Sequence, residues 1–178
     1  MGSRMNRLLT PEQAEAIKRQ ANALLAKYAH ISNPYELVSK VAADHGIRIM
    51  EADLYDLAGT LRKDGDAWVI YVNRQDSEQR KLFTVAHELG HFFVHRELCD
   101  EFVDGQFISR DEQERYALRE LEANEFAGNL IMPEAAIRKR AMGAVTGDTL
   151  QTLAKSFGVS TLAMETRLKN LGYEISNR

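Results

Sequence analysis

The order of apolar and polar positions predicts helices at both ends of the chain and a small sheet between them. Apolar residues recur every three to four positions after Thr10 and again after Asn33, and a proline follows each of these two residues, as is typical of a helix start. The pattern then changes to short alternating or β-branched runs, which predict strands at 47–50, 58–62 and 67–73. Because a turn sequence separates the last two strands, we expect them to form an antiparallel hairpin.

From residue 77 onward the spacing of apolar residues is again helical. We expect a largely buried helix over 77–95, an irregular acidic loop over 97–109 and a long helix over 110–131 that ends before Pro133. The remaining elements are a short helix to about residue 142, a linker over 143–147, and helices at about 149–157 and 161–171. The predicted fold class is therefore α+β, mainly helical with a small antiparallel sheet.

The length and composition are those of one globular domain. The 178 residues are 44% hydrophobic and 28% charged, which is enough to bury a core. We divide the chain into a domain over residues 10–142 and a helical pair over 148–178 that packs on it, and we interpret residues 1–9 as a tag or disordered segment. No apolar run is long enough to span a bilayer, so we expect no association with a membrane.

The net charge and the cysteine content bear on nucleic-acid binding and on the cellular compartment. The formal net charge of −3 argues against a basic nucleic-acid-binding surface over the whole chain. The single cysteine, Cys99, cannot form an intramolecular disulfide, and we interpret it as a free thiol. Since the chain also opens without a signal peptide, we expect a cytoplasmic location.

The segment His87-Glu88-Leu89-Gly90-His91 carries the candidate chemistry. Residues four apart lie on one helix face, about 5–6 Å from each other, so His87 and His91 can bind one Zn²⁺ ion. Glu88 lies beside such a metal, where it can accept a proton from activated water as the general base. Leaving these polar groups unpartnered in an apolar helix would be costly, and a bound metal compensates that cost.

A catalytic zinc site needs a third protein ligand and one open position. Glu120 shares a helix face with Asn124, so Glu120 can bind the metal while Asn124 hydrogen-bonds a ligating histidine. Glu122 is the competing ligand and lies about 200° around the helix from Glu120. We expect Glu120 to be the ligand and Zn²⁺ to be the metal, with Mn²⁺ as an alternative because imidazole and carboxylate groups accept both ions.

Several neighbouring features have two interpretations each. His95 lies about 12 Å along the helix from His87, too far to share its metal, and we interpret it as a histidine stabilised by the helix C-terminus. The strand at 67–73 is either a sheet edge that binds an extended substrate or an ordinary internal strand. Tyr116 and His95 are candidates for stabilising an oxyanion, and neither is assigned.

The chain resembles the ImmA/IrrE family of zinc-dependent metallopeptidases. The resemblance is carried by residues 83–91, 120–127, 130–133, 153–160 and 167–172, and it extends from about residue 34 to the end. It implies a zincin-like metallopeptidase domain with a gluzincin-like site, in which the third glutamate precedes an aspartate or asparagine by four residues. Glu120 and Asn124 fit that pattern. It also implies a protein substrate, a specific helix-turn-helix transcriptional repressor whose cleavage switches gene expression.

The charge pattern leaves two further alternatives open. Residues 149–172 resemble a helix-turn-helix but carry few basic side chains, so they are expected to pack on the domain or to dock a protein rather than to bind DNA. Residues 97–125 carry ten acidic and three basic side chains, which either attract a basic substrate or form a solvated surface.

Three functions follow from these observations. The first is a zinc-dependent endopeptidase in which His87, His91 and Glu120 hold the metal and Glu88 moves the proton. The alternative is a non-catalytic regulator that binds a repressor or an antitoxin-like partner and uses its metal structurally, although structural zinc sites have four protein ligands. The third is a DNA-binding regulator, against which the net charge argues.

Overall fold

A computed structural model describes residues 9–98, 101–102, 110–141 and 143–176. The predictions made for the N-terminal segment before Leu9, for Cys99 and for most of the acidic loop lie outside these residues. Within them, no helix has both the length and the apolar character that crossing a membrane requires.

The helices begin where their capping residues predict. Thr10 forms a capping box with Gln13 at the first helix, and Asn33, Ser77 and Ser160 accept hydrogen bonds from the first-turn amides of later ones. The described helices are α1 (Pro11–Lys27), α2 (Pro34–Asp44), α3 (Glu78–His95), α4 (Arg110–Ile131), α5 (Glu134–Arg140), α6 (Gly147–Phe157) and α7 (Thr161–Asn170).

The main sheet is mixed, whereas the sequence predicted an antiparallel one. Its strands are β1 (Ile47–Ala52), β2 (Gly59–Asp64), β3 (Ala67–Asn73) and β4 (Glu101–Phe102), in the order β1-β3-β2-β4. The predicted hairpin of β2 and β3 is confirmed, but β1 pairs in parallel with β3. Strand order depends on contacts between strands, which the alternation within each strand does not report. The α+β class itself is confirmed.

Strand β3 is therefore internal, with β1 on one side and β2 on the other. Its residues Val69, Ile70 and Val72 are buried, as expected of a strand with partners on both sides. This excludes the interpretation of residues 67–73 as a sheet edge that pairs with substrate.

A second, two-stranded parallel sheet was not predicted. It joins β5 (Val145–Thr146), in the segment expected to be a linker, to β6 (Ile175–Ser176). Strands of two residues carry too little periodicity to be recognised in a sequence.

Helix α3 lies at the centre of the molecule, between the main sheet and α4, and α1 packs on α4. Leu82, Ala86 and Leu89 of α3 and Phe126 and Leu130 of α4 are buried in this core. Polar side chains of α3 are consequently held among apolar neighbours, which restricts their rotamers.

The last helices are attached to α4 through Arg167 of α7. Its guanidinium is 5% exposed and donates hydrogen bonds to the Asn129 amide oxygen at 2.7 Å and the Met132 carbonyl at 3.1 Å. Helix α6 ends at Gly158 in the left-handed region, at φ 65°, which directs the chain into α7.

Candidate metal centre

Helix α3 presents two histidines one turn apart toward the same point. The Nε2 atoms of His87 and His91 lie 3.0 Å from each other, and their ring centroids are 4.7 Å apart. His91 is 3% exposed, while His87 lies at the edge of a cavity. The (i, i+4) spacing of the two residues thus produces convergent imidazoles, as helix geometry requires.

Helix α4 brings a carboxylate to both imidazoles. One oxygen of Glu120 lies 3.2 Å from His87 Nε2 and the other 3.0 Å from His91 Nε2. A ligand atom from each of the three residues lies within 4.8 Å of the other two. The two helices approach closely at Gly90, where an added Cβ would lie 2.9 Å from the carbonyl oxygen of Ala123.

These three groups fit a divalent metal ion. Two nitrogens bound to tetrahedral zinc at 2.0–2.1 Å are about 3.3 Å apart, close to the separation of the two Nε2 atoms here. Two imidazoles with one carboxylate form a donor set that both zinc and manganese accept. Among the described residues, the ligand set and its spacing therefore suit a metal centre with room for one more ligand.

The pKa shifts of two of the three groups also suit a metal. Burial acts to raise the pKa of Glu120, but hydrogen bonds to His87 and His91 outweigh it and hold this pKa far below its usual range. Burial lowers the pKa of His91. At His87 burial acts in the same direction, but Glu120 and Glu88 outweigh it and raise the pKa. An ionised carboxylate and a neutral imidazole are the forms that bind metal, so the pKa shifts at Glu120 and His91 favour binding, whereas His87 must give up its proton to bind.

Asn124 and Glu122 contact different histidines. The Oδ1 atom of Asn124 lies 3.0 Å from His87 Nδ1, the ring nitrogen that faces away from Glu120. Glu122 lies 2.8 Å from His95 Nε2, and His95 Nδ1 in turn lies 3.1 Å from His91 Nδ1. Of the two glutamates considered as the third ligand, the fold brings Glu120 to the candidate ligands and Glu122 to His95.

His95 is more enclosed by protein than its position at a helix C-terminus indicates. It occupies the last turn of α3 as expected, but it is 3% exposed and sits between two other polar side chains. The available signal was its position four residues after His91, which places both rings on one helix face.

A cavity of about 470 Å³ opens beside these residues. Glu88, which is 5% exposed, lines it, and neither Tyr116 nor His95 is among the described residues that do so. One wall comes from the start of α7, where Leu162 is 72% exposed. The side chains and backbone that enclose it include Gly59, Phe83, Thr84, His87, Glu120 and Ala163.

Comparison with known proteins gives three results. The family model Peptidase_M78, described as the IrrE N-terminal-like domain, matches residues 42–169. The metallopeptidase ImmA of Bacillus subtilis (strain 168) is 26% identical over 174 residues, which cover 96% of this chain and 94% of that protein. A solved structure described as a Mycobacterium tuberculosis transcriptional regulator matches 87% of this chain with a TM-score of 0.59 and 18% identity. Our chain spans 46% of that protein's chain, and this likeness concerns the fold alone.

Proposed function

The chain belongs to the Peptidase_M78 family of IrrE N-terminal-like domains, and on that premise we propose that it is a zinc-dependent endopeptidase that cleaves a specific helix-turn-helix transcriptional repressor. Family membership and the relationship to ImmA support a metallopeptidase-type function. The observation that carries the proposal is the convergence of His87, His91 and Glu120 at a cavity that Glu88 also lines.

In this proposal His87, His91 and Glu120 hold the metal. Zinc bound there supplies polarisation of the scissile carbonyl and a water molecule whose pKa is lowered to about 7. Asn124 holds the His87 ring through Nδ1, so that its Nε2 atom faces the other two ligands. Manganese is the alternative metal for the same three groups.

Glu88 is assigned the proton transfers. It follows His87 on α3, is buried, and faces the cavity in which the substrate would lie. A carboxylate in that position takes the proton from the attacking water and later passes it to the leaving amine. Metal binding does not require this residue, whereas hydrolysis does.

The substrate is assigned on two grounds. The apolar side chains of Phe83 and Leu162 in the cavity walls can contact the side chains of a peptide segment. The helix-turn-helix repressor is the substrate class that the family resemblance implies. A transcriptional repressor binds DNA, so we propose that the cleavage takes place in the cytoplasm.

A non-catalytic regulator that only binds its partner is the second candidate. A metal held by three protein groups keeps a position open for water, whereas structural zinc sites use four protein ligands. Within the part of the chain that the structure describes, the donor set has three members, which favours hydrolysis over a purely structural metal.

The decisive experiment compares Glu88→Gln with the unaltered protein. We expect the variant to retain its metal by elemental mass spectrometry, while cleavage of a helix-turn-helix repressor falls by about 10²–10⁴-fold. Glu78→Gln is the matched control, because Glu78 lies on the same helix with a 74% exposed side chain. Full cleavage by metal-loaded Glu88→Gln, or an intact repressor after prolonged incubation with the unaltered protein, would overturn the proposal.

A further inference from the structure

The ring nitrogen of His91 that faces away from Glu120 has a histidine as its partner. His91 Nε2 points to Glu120 Oε1 at 3.0 Å, and His91 Nδ1 lies 3.1 Å from Nδ1 of His95. At the far side of His95, Nε2 lies 2.8 Å from a carboxylate oxygen of Glu122. Three side chains thus form a line that leads from the candidate metal into the protein.

The direction of these hydrogen bonds follows from the valence of imidazole. A neutral histidine that binds metal through Nε2 carries its hydrogen on Nδ1 and must donate from there. His95 Nδ1 is then the acceptor, so the hydrogen of a neutral His95 sits on Nε2. That hydrogen is donated to Glu122, which accepts as a carboxylate. In this arrangement His91 donates to His95 and His95 donates to Glu122, so each donor faces an acceptor.

The line is also shielded from solvent and anchored on two helices. His91 and His95 are each 3% exposed, and the Glu122 side chain is 16% exposed. Both histidines belong to α3 and Glu122 belongs to α4, the helix that also carries Glu120. In this shielded position a hydrogen bond to a carboxylate holds a ring more firmly than it would in water.

We propose that His95 and Glu122 are positioning residues, which hold His91 in the tautomer and ring orientation that bind the metal. The inference rests on the proposed function, since it presumes a metal at His87, His91 and Glu120. It assigns to the two ligand histidines different supports: the neutral amide of Asn124 at His87, and a charged carboxylate acting through His95 at His91.

The test measures zinc affinity by competition with a fluorescent chelator. Removing such a support typically weakens metal binding by 10–100-fold, and we expect a loss of about that size in His95→Leu. His95→Asn should recover part of the loss, because its amide oxygen can accept the hydrogen bond from His91 Nδ1. Glu122→Gln keeps an acceptor but loses the charge, so we expect a smaller loss, about 3- to 10-fold.

His45→Leu is the matched control. His45 packs against Phe93 of α3 at a centroid distance of 4.8 Å and bonds the Val41 carbonyl, so it is a partly buried histidine whose contacts lie away from the ligands. We expect the zinc affinity of His45→Leu to stay within twofold of that of the unaltered protein. Imidazole nitrogen NMR of the zinc-loaded protein provides a second readout, in which the Nδ1 hydrogen of His91 is retained in the unaltered protein and exchanges faster in His95→Leu.

The outcomes separate the two proposals. If the unaltered protein binds no zinc or manganese, the proposed function fails and the inference fails with it. If the unaltered protein binds zinc and a folded His95→Leu binds it equally well, the inference alone is overturned. Should His95→Leu not fold, Glu122→Gln decides, because an unchanged affinity and an unchanged His91 signal in that variant contradict the positioning role.

Discussion

At the scale of single residues, the candidate metal centre contains side chains that contact the candidate ligands as well as the ligands themselves. An imidazole has two nitrogens, and a metal engages one of them, so the other must find a partner when the ring is enclosed by protein. At His87 that partner is the side-chain oxygen of Asn124, 3.0 Å from Nδ1. A histidine without it can rotate or exchange tautomers, which lowers the fraction of molecules ready to bind metal.

Asn124→Ala tests this support. We expect the variant to bind zinc about 10-fold or more weakly, because His87 loses the acceptor that fixes its Nδ1 hydrogen. Asn170→Ala, at an exposed position near the end of α7, should leave the affinity unchanged. The measurement is chelator competition at fixed pH, and equal affinities of Asn124→Ala and the unaltered protein would contradict the assigned role.

At the scale of elements, the candidate metal centre lies where two helices cross. Helix α3 provides both histidines and α4 provides Glu120, so the distance between the helices decides whether the three groups can bind one ion. Gly90 lies where the helices touch, within the same segment as the histidines. A Cβ atom there would lie 2.9 Å from the Ala123 carbonyl oxygen and 3.2 Å from Phe126 Cβ.

Gly90→Ala is therefore expected to move α3 away from α4. The neighbouring atoms include backbone, which cannot rotate aside, and overpacking of this kind costs about 1–3 kcal/mol. We expect lower stability to urea and weaker zinc binding together, because Glu120 moves away from the histidines.

Gly128→Ala is the control for this substitution. It is also a helical glycine of the core, but its added Cβ would lie 3.6 Å from Arg167 Nη1, an ordinary contact. Alanine favours the helix by up to about 1 kcal/mol over glycine, so this variant should be neutral or more stable. Gly90→Ala with unchanged stability and zinc affinity would show that the close approach of the two helices is not required.

At the scale of the whole molecule, the C-terminal helices complete the cleft. Residues Ser160, Leu162 and Ala163, at the start of α7, line the cavity beside His87 and Glu120. In a helix-turn-helix that binds DNA, the second helix presents basic residues to the groove. Here its Arg167 is buried and bonded to α4, and its Lys169 pairs with Glu165. This placement favours a role in forming the wall of the cavity over a role in binding DNA.

Arg167→Met is expected to loosen this wall. The substitution leaves the Asn129 oxygen and the Met132 carbonyl without their buried donor, and it breaks the 3.5 Å ion pair with Glu125. Losses of this type cost about 3 kcal/mol, measured as the free energy of unfolding in urea. Lys169→Met, which removes a 62% exposed cation from the same helix, should change that free energy by less than about 0.5 kcal/mol. Similar effects of the two substitutions would mean that Arg167 does not anchor α7.

The features that could be predicted from the sequence alone are local ones. Helix starts follow from a capping residue and the apolar spacing after it, and the convergence of His87 and His91 follows from the pitch of one helix. The hairpin of β2 and β3 joins neighbouring segments through a short turn, so it too was predictable. Each of these depends on residues a few positions apart, whose geometry the chain dictates directly.

Which distant residues meet depends on how the helices and strands pack against each other. Glu120 and Glu122 lie on one helix two residues apart, and the crossing with α3 places the first at the candidate ligands and the second at His95. Packing likewise placed β3 inside a mixed sheet and the start of α7 at the cavity. Such contacts join residues far apart in the chain, as His87 and Asn124 are at a separation of 37 positions. Their geometry is set by the packing of whole elements, which no local pattern of residues records.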